Sequence, residues 1–291
     1  MDFDSQTLIQ DFFEKQCIPS FGVAGNFTGH LEQAGEDKDF LSVKAEANAP
    51  KAIFPTYIPA SNKNARVPDF LKIFPFSTKY IAFPSDEQKV QIEPECALIC
   101  QLKWVDSKIT KIKPVFFMAS NDCSIRKIGA KKISSKKNWG KCSKGISAQF
   151  IKIDSFSPAG ILNRYRIASF LVRKNQAFLY GEDSAVRDYN FIYEKLENWL
   201  CEKLNGQVDE GPAENVHDYL TSLETADFAM ISIGATRYTE FGKNTFLRTG
   251  DESLVILYPE NQYSPAEIQA FVQDDTIDSK PDLSVLRQQV I

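Results

Sequence analysis

The sequence predicts an α+β protein built on a largely antiparallel or mixed sheet. Strand-like runs dominate residues 70–180, whereas the clearest helical patterns lie towards the two ends of the chain. Strands and helices that are grouped in this way, without regular alternation, are typical of α+β folds. The chain has 291 residues, of which 43% are hydrophobic, and this is enough for one substantial buried core.

The first elements are predicted from hydrophobic periodicity. Residues 5–16 are expected to form an amphipathic helix, because Leu8, Phe12 and their neighbours recur on one side. Residues 21–26 read as a short buried strand. The strand-like runs of the middle of the chain follow, at 78–83, 89–93, 97–104, 109–118, 147–153 and 164–180.

The C-terminal third contains two predicted helices, at residues 185–205 and 213–223, and two strands, at 228–233 and 253–257. Ser264-Pro265-Ala266-Glu267 has the proline and the glutamate of a capped helix start. The tail after Gln273 is polar and is expected to be loosely held. The expected organisation is therefore an N-terminal helical extension at 1–20, one domain at 21–260, and a C-terminal helix with a polar tail at 261–291.

Composition excludes several classes of protein. A net charge of −4 argues against a general nucleic-acid binder. Met1-Asp2-Phe3-Asp4 lacks the features of a signal peptide, and no apolar run approaches membrane-spanning length. The six cysteines include no Cys-x-x-Cys pair, so reduced thiols are favoured over disulfides. We therefore expect a cytoplasmic protein without nucleic-acid or membrane partners.

Three acidic residues predict a metal site. Glu93 and Glu95 are two residues apart in a strand-like run, so their side chains point to the same face about 7 Å apart. They lie beside the apolar run 97–100, where two carboxylates require compensation by a cation. Asp122 follows a second apolar strand and adds a third oxygen ligand, which suits Mg²⁺ or Mn²⁺ and also Ca²⁺. The alternative is that both glutamates lie on the solvent face of an edge strand.

Several short segments between residues 21 and 257 carry motifs in a recognisable order. They are Phe21-Gly22-Val23-Ala24-Gly25-Asn26-Phe27-Thr28-Gly29-His30, Glu93-Pro94-Glu95, Asn121-Asp122-Cys123-Ser124-Ile125-Arg126, Trp139-Gly140-Lys141, Gly234-Ala235-Thr236 and Phe246-Leu247-Arg248-Thr249-Gly250-Asp251. In this order and spacing the chain resembles the fumarylacetoacetate hydrolase superfamily. The resemblance implies the mixed β-roll of that superfamily for the domain at 21–260, with peripheral helices.

The resemblance also implies a function. Members of the superfamily hold a divalent metal that chelates a 2-oxo acid or a 1,3-dicarbonyl acid and stabilises its enolate. The expected protein is therefore a hydrolase or lyase that uses Mg²⁺ or Mn²⁺ for C–C bond hydrolysis, decarboxylation or tautomerisation of a small anionic substrate. Superfamily members of this size commonly form homodimers, and 22 phenylalanines are many for one core to absorb.

Carried over onto this sequence, the resemblance implies roles for six further residues. His30 is the expected general base, with Glu32 as its partner, and Lys141 is the active-site lysine. Arg126, Ser124 and Thr236 are the expected contacts of the substrate.

One departure keeps a second function open. The superfamily's histidine partner is a glutamate three positions later, and that position here is Gln33. The alternative is a non-catalytic binding protein that keeps the fold but has lost this pair. Bland interpretations also remain: a structural histidine at His30, and a solvated loop for the lysine-rich residues 126–144.

Overall fold

A computed structural model of the chain describes residues 5–35, 40, 46, 48–61, 66–84, 89–126, 130–223 and 226–291. These residues form two large sheets and a short two-stranded one, with helices packed against them, so the predicted α+β class is confirmed. Within this part of the chain, no helix is both long and apolar enough to cross a membrane.

The helices are mostly short. They are α1 (Ser5–Lys15), α2 (His30–Ala34), α3 (Ser134–Lys137), α4 (Glu194–Gly206), α5 (Val216–Thr221), α6 (Glu240–Asn244) and α7 (Pro265–Gln273). Short 3₁₀ segments lie at Asp69–Lys72, Ile161–Arg164, Val186–Asp188 and Ile277–Ser279. The predicted helix at 185–205 begins only at residue 194, and α7 begins at the capping box predicted for Ser264 and Glu267.

The larger sheet carries the acidic motifs. Its strands, in spatial order, are β2 (Ala52–Tyr57), β1 (Ser20–Ala24), β13 (Phe228–Ser232), β6 (Pro94–Val105), β7 (Lys108–Asn121), β9 (Lys144–Ile146) and β3 (Phe76–Ser77), and β10 (Ile151–Lys152) also pairs with β7. The long hairpin of β6 and β7 turns at Asp106 and Ser107, which both have positive φ, as the tight hairpin turns that match strand twist require.

The second sheet has five strands. Their spatial order is β12 (Gln176–Ala185), β11 (Tyr165–Arg173), β14 (Glu252–Pro259), β15 (Ser284–Val290) and β4 (Tyr80–Ile81), and β11 and β12 form a second long hairpin. A separate short pair joins β5 (Val90–Gln91) to β8 (Ser124–Ile125). Because β1–β13, β3–β9 and β15–β4 are parallel and the other pairs are antiparallel, the mixed sheet that the sequence predicts is confirmed.

The main core lies between the two sheets. Phe117 of β7 meets Tyr165 of β11 edge to face, with ring centroids 4.8 Å apart. Alternate residues of the same strands point outward, as the two-residue period of a strand dictates. On the outer face of the larger sheet α1 buries Phe13, and on that of the second sheet α7 buries Ile268 and Val272.

The C-terminal segment differs from its prediction. The polar tail was expected to be loosely held, and for Ser284–Val290 this is wrong, because β15 lies inside the second sheet between β14 and β4. Gln288 of β15 is fully buried, and its amide bonds to Asn121, Ser77 and Lys144. The division of the chain at residues 20 and 260 stays a prediction.

Candidate metal and substrate site

Glu93, Glu95 and Asp122 meet at one end of the β6–β7 hairpin. Glu93 precedes β6, Glu95 is its second residue, and Asp122 follows β7, so antiparallel pairing brings the three together. One oxygen of each carboxylate lies within 4.8 Å of the others. The predicted convergence is confirmed. The edge-strand alternative is wrong, because β6 lies between β13 and β7 and both glutamates are buried.

Three cationic side chains contact this acidic cluster. Nζ of Lys137 bonds to Oε2 of Glu93 and lies 2.7 Å from Oδ2 of Asp122. Nζ of Lys144 bonds to the other oxygen, Oδ1, of Asp122. Nη1 of Arg126 lies 2.9 Å from Oε1 of Glu93. The acids are therefore held in a buried network of opposite charges, which strongly affects their ionisation.

The two glutamates ionise differently in this network. Burial by itself would raise the pKa of Glu93, but the charges of Lys137 and Arg126 outweigh burial and lower it below its ordinary value. Burial and the nearby charge of Asp122 raise the pKa of Glu95 well above its ordinary value. Oε2 of Glu95 accepts a hydrogen bond from the backbone N–H of Gly234 at 2.9 Å. Glu95 is therefore the carboxyl group that gains most from a further cation.

The oxygen set fits a hard divalent ion. Oε1 of Glu93 and Oδ2 of Asp122 are buried and, within the described residues, make charge contacts without accepting an aligned hydrogen bond. Three carboxylates on one short stretch of sheet supply the ligand atoms that Mg²⁺, Mn²⁺ and Ca²⁺ prefer. A buried cluster of this composition and geometry is suited to hold such an ion.

His30 begins α2 and faces the segment that follows β13. Its Nδ1 lies 2.8 Å from the carbonyl oxygen of Thr236. A carbonyl only accepts, so Nδ1 donates, and the neutral ring has its lone pair on Nε2. The ring also packs against Tyr238, with centroids 5.2 Å apart, and when it is protonated its positive charge helps to lower the pKa of Glu93. His30 is thus connected to the acidic cluster and is not a remote core histidine.

The predicted partner of His30 lies elsewhere. Glu32 is exposed, whereas His30 is buried, because residues two apart on a helix point in different directions. Gln33 does not replace it: its Oε1 accepts from the backbone N–H of Tyr238 at 2.7 Å, and its Nε2 donates to the Tyr238 carbonyl at 3.2 Å. The ring of His30 is therefore oriented by the Thr236 carbonyl, where the superfamily pattern has a carboxylate.

The predicted active-site lysine needs correction. Lys141 is exposed, in the turn between α3 and β9, because α3 ends at Lys137 and the chain then turns outward. The lysines at the acids are Lys137 and Lys144, one on each side of that turn. The solvated-loop interpretation is wrong for these two. The absence of acids from residues 126–144 indicates that some of these lysines find acidic partners elsewhere in the chain. It does not show which lysines point towards the interior.

Of the predicted substrate contacts, Ser124 and Thr236 are buried and Arg126 is partly buried. Ser124 and Thr236 each have a buried hydroxyl oxygen that lacks a hydrogen-bond partner within the described residues. Arg126 donates from Nε to Oε1 of Gln91 at 2.6 Å and from Nη2 to the Tyr238 hydroxyl at 2.7 Å. Tyr238, which sequence reasoning missed, therefore joins His30 to Arg126.

The comparisons with known proteins agree with this architecture. A family described as a family of unknown function, DUF5718, matches residues 36–290. The chain belongs to the DUF5718 family. No curated protein matches it.

Solved structures show which fold this DUF5718 member has. One similar structure is 2-keto-3-deoxy-D-arabinonate dehydratase complexed with magnesium and 2,5-dioxopentanoate, at 15% identity and a TM-score of 0.53, covering 100% of this chain and 81% of that one. Another is a Yersinia pestis CO92 protein provisionally assigned to the fumarylacetoacetate hydrolase family, at 12% identity and a TM-score of 0.50, covering 94% of each chain. The chain has the fumarylacetoacetate hydrolase fold, and the fold that the sequence motifs predict is confirmed.

Proposed function

We propose that the protein is a divalent-metal-dependent enzyme that acts on a small 2-oxo acid or 1,3-dicarbonyl acid. The observation that carries this proposal is the buried cluster of Glu93, Glu95 and Asp122 beside His30 and Arg126. A neighbour of the same fold was crystallised with magnesium and a dioxo acid, which supports the same class of ligand. The proposed reaction is C–C bond hydrolysis, decarboxylation or tautomerisation. The first two would make the enzyme a hydrolase or a lyase, which is the class that we favour.

Glu93, Glu95 and Asp122 are the residues that would hold the ion, and Mg²⁺ or Mn²⁺ suits them best. When bound, the metal supplies Lewis-acid polarisation of a substrate carbonyl. Arg126 and Lys144 contribute positive charge on the two flanks of the cluster and favour the anionic form of the substrate.

The remaining residues handle protons and binding. Nε2 of His30 is the atom that accepts a proton from water or from the carbon acid, because Nδ1 is committed to Thr236. The hydroxyl groups of Ser124 and Thr236 are buried and lack hydrogen-bond partners in the described residues, so each can donate to a carboxylate of the substrate.

A non-catalytic binding protein is the second candidate. The observation that favours it is Gln33, which stands where the superfamily has the histidine's glutamate and instead holds the backbone of Tyr238. The Thr236 carbonyl holds the ring of His30 in place of a carboxylate, so the negatively charged partner of the full pair is missing.

We also propose a homodimer in the cytoplasm. Leu8, Phe12 and Phe116 are 52%, 44% and 37% exposed, and α1 and β7 place apolar side chains on the outer side of the larger sheet. A second copy is the simplest way to cover them. The cysteines of the described residues are free thiols, which supports a reducing compartment.

A substrate screen tests the enzyme proposal. The purified protein is assayed with oxaloacetate, acylpyruvates and related diketo acids in Mg²⁺ or Mn²⁺, beside Glu95→Gln and the exposed control Glu32→Gln. We expect Glu95→Gln to lose roughly 100-fold or more in turnover and Glu32→Gln to keep it. Saturable Mn²⁺-dependent binding of such acids without turnover favours the binding protein. If the protein neither binds such acids nor turns them over, both functions are refuted.

A further inference from the structure

The ammonium group of Lys137 lies among oxygens of the acidic cluster. Its Nζ bonds to Oε2 of Glu93, lies 2.7 Å from Oδ2 of Asp122, and donates to the backbone carbonyl of Asp122 at 3.3 Å. The side chain is 4% exposed. A cation that bridges one oxygen from each of two carboxylates makes the contacts that a divalent ion in the same cluster would make.

The chain that follows Lys137 is held by hydrogen bonds. Asn138, the next residue, donates from Nδ2 to the carbonyl of Thr56 at 3.0 Å, and its Oδ1 accepts from the backbone N–H of Gly140 at 2.9 Å. The ring of Phe54 lies under the ammonium, with its centroid 5.5 Å from Nζ. The lysine therefore reaches the carboxylates from an anchored turn with an aromatic face beneath it.

Lys144 is placed differently. It contacts the far oxygen, Oδ1, of Asp122, on the opposite side of that carboxylate from Lys137. A metal ion held by Glu93 and Asp122 would compete with Lys137 for these carboxylates, whereas Lys144 contacts a different oxygen of Asp122.

The charges of the cluster also favour displacement of Lys137 by a divalent ion. Three carboxyl groups face three cations, Lys137, Lys144 and Arg126, so the cluster has no excess of negative charge before another ion enters. A divalent ion would add two positive charges to a buried region where charges are weakly screened. Departure of the Lys137 ammonium removes both the competition for oxygens and half of this excess.

We infer that Lys137 is an internal cation which occupies the metal position of the cluster, and that a divalent ion enters by displacing it. This inference rests on the proposed function only for the identity of the metal ligands, and it does not require turnover. It assigns Lys137 a role as the residue that sets metal affinity.

Metal titration of matched variants tests the inference. Mn²⁺ binding is measured by calorimetry and by the loss of the free-ion magnetic resonance signal for the wild type, Lys137→Met, Lys137→Arg and the exposed control Lys141→Met. We expect Lys137→Met to bind Mn²⁺ at least roughly tenfold more tightly than the wild type, because a like charge within a few ångströms is removed. Lys137→Arg keeps the charge and should bind no more tightly, and Lys141→Met should match the wild type.

The outcomes separate this inference from the proposed enzyme. Unchanged or weaker Mn²⁺ binding in Lys137→Met overturns the inference, even where the wild type turns over a substrate. Tighter binding in Lys137→Met supports the inference, even where no substrate is turned over. Failure of both proteins to bind Mn²⁺ overturns it as well.

A second measurement uses the wild-type protein and does not depend on the folding of a variant. Lysines are acetylated briefly with an activated ester, with and without saturating Mn²⁺, and the modification of each residue is quantified by mass spectrometry. We expect labelling of Lys137 to rise severalfold when Mn²⁺ is bound, while labelling of exposed Lys141 stays constant. Protection of Lys137 that persists in the Mn²⁺-loaded protein overturns the inference.

Discussion

Glu214 should make the stability of this protein fall as pH rises. Its side chain is 3% exposed, and burial raises its pKa from 4.5 to about 7, with only partial opposition from Ser134 and Lys132. Oε2 of this carboxyl group has no hydrogen-bond partner within the described residues. Replacement by glutamine keeps the shape and removes the ionisation, so Glu214→Gln is the informative variant.

The magnitude follows from the two pKa values. In the folded protein the Glu214 carboxyl stays protonated up to about pH 7, whereas in the unfolded chain it ionises near pH 4.5. The folded state therefore binds more protons between these values, and the stability of the wild type falls as pH rises through that window. The difference between 4.5 and about 7 corresponds to at most about 3 kcal/mol of unfolding free energy, reached above pH 7.

Urea unfolding, followed by tryptophan fluorescence at pH 5, 6, 7 and 8, measures this effect. Glu214→Gln should be close to the wild type at pH 5 and more stable by up to about 3 kcal/mol at pH 8. The exposed neighbour Glu210 provides the control, since Glu210→Gln should leave the pH dependence unchanged. A difference between Glu214→Gln and the wild type that stays constant from pH 5 to pH 8 would refute the reasoning.

Three further predictions concern the fold, the site and the assembly. Gln33→Ala removes both side-chain hydrogen bonds to the Tyr238 backbone and should lower the free energy of unfolding by about 1–3 kcal/mol. Calorimetry should show this as a lower melting temperature, and an unchanged melting temperature contradicts the prediction. Gly242→Ala should destabilise by roughly 1–3 kcal/mol in urea titration, because the added Cβ would lie 2.1 Å from the Tyr180 carbonyl oxygen, and wild-type stability would argue against this packing. Sedimentation at micromolar concentration should give a dimer, and a mass near the 32.9 kDa of one chain rules it out.

The acidic cluster could be predicted from the sequence because the relevant geometry is local. The spacing of Glu93 and Glu95 at the start of β6 directs both side chains to one side, and Asp122 directly follows β7, the strand that pairs with β6. The capping box at Ser264 was predictable for the same reason, since its hydrogen bonds span three residues.

The cationic half of the site could not be predicted in this way. Lys137 and Lys141 lie in the same polar, lysine-rich segment, and only the end of α3 and the turn after it place one inside and the other outside. The burial of Gln288 could not be predicted from the sequence for a related reason. Its partners are Asn121 and the backbone of Ser77 and Lys144, all far away in the sequence, so its polar side chain resembled that of a solvated tail.

The balance of charge bears on the class of substrate. Glu93, Glu95 and Asp122 are matched by Lys137, Lys144 and Arg126, and the usual glutamate near His30 is replaced by the neutral Gln33. A divalent ion therefore leaves the cluster positive even after one ammonium group withdraws. An acid that reacts through an enolate brings negative charge at its carboxylate and at its oxygen, which offsets this excess where a neutral diketone cannot. In the proposed enzyme, the metal ion and the anionic substrate would thus stabilise each other in the site, and we expect a preference for 2-oxo acids over uncharged dicarbonyl compounds.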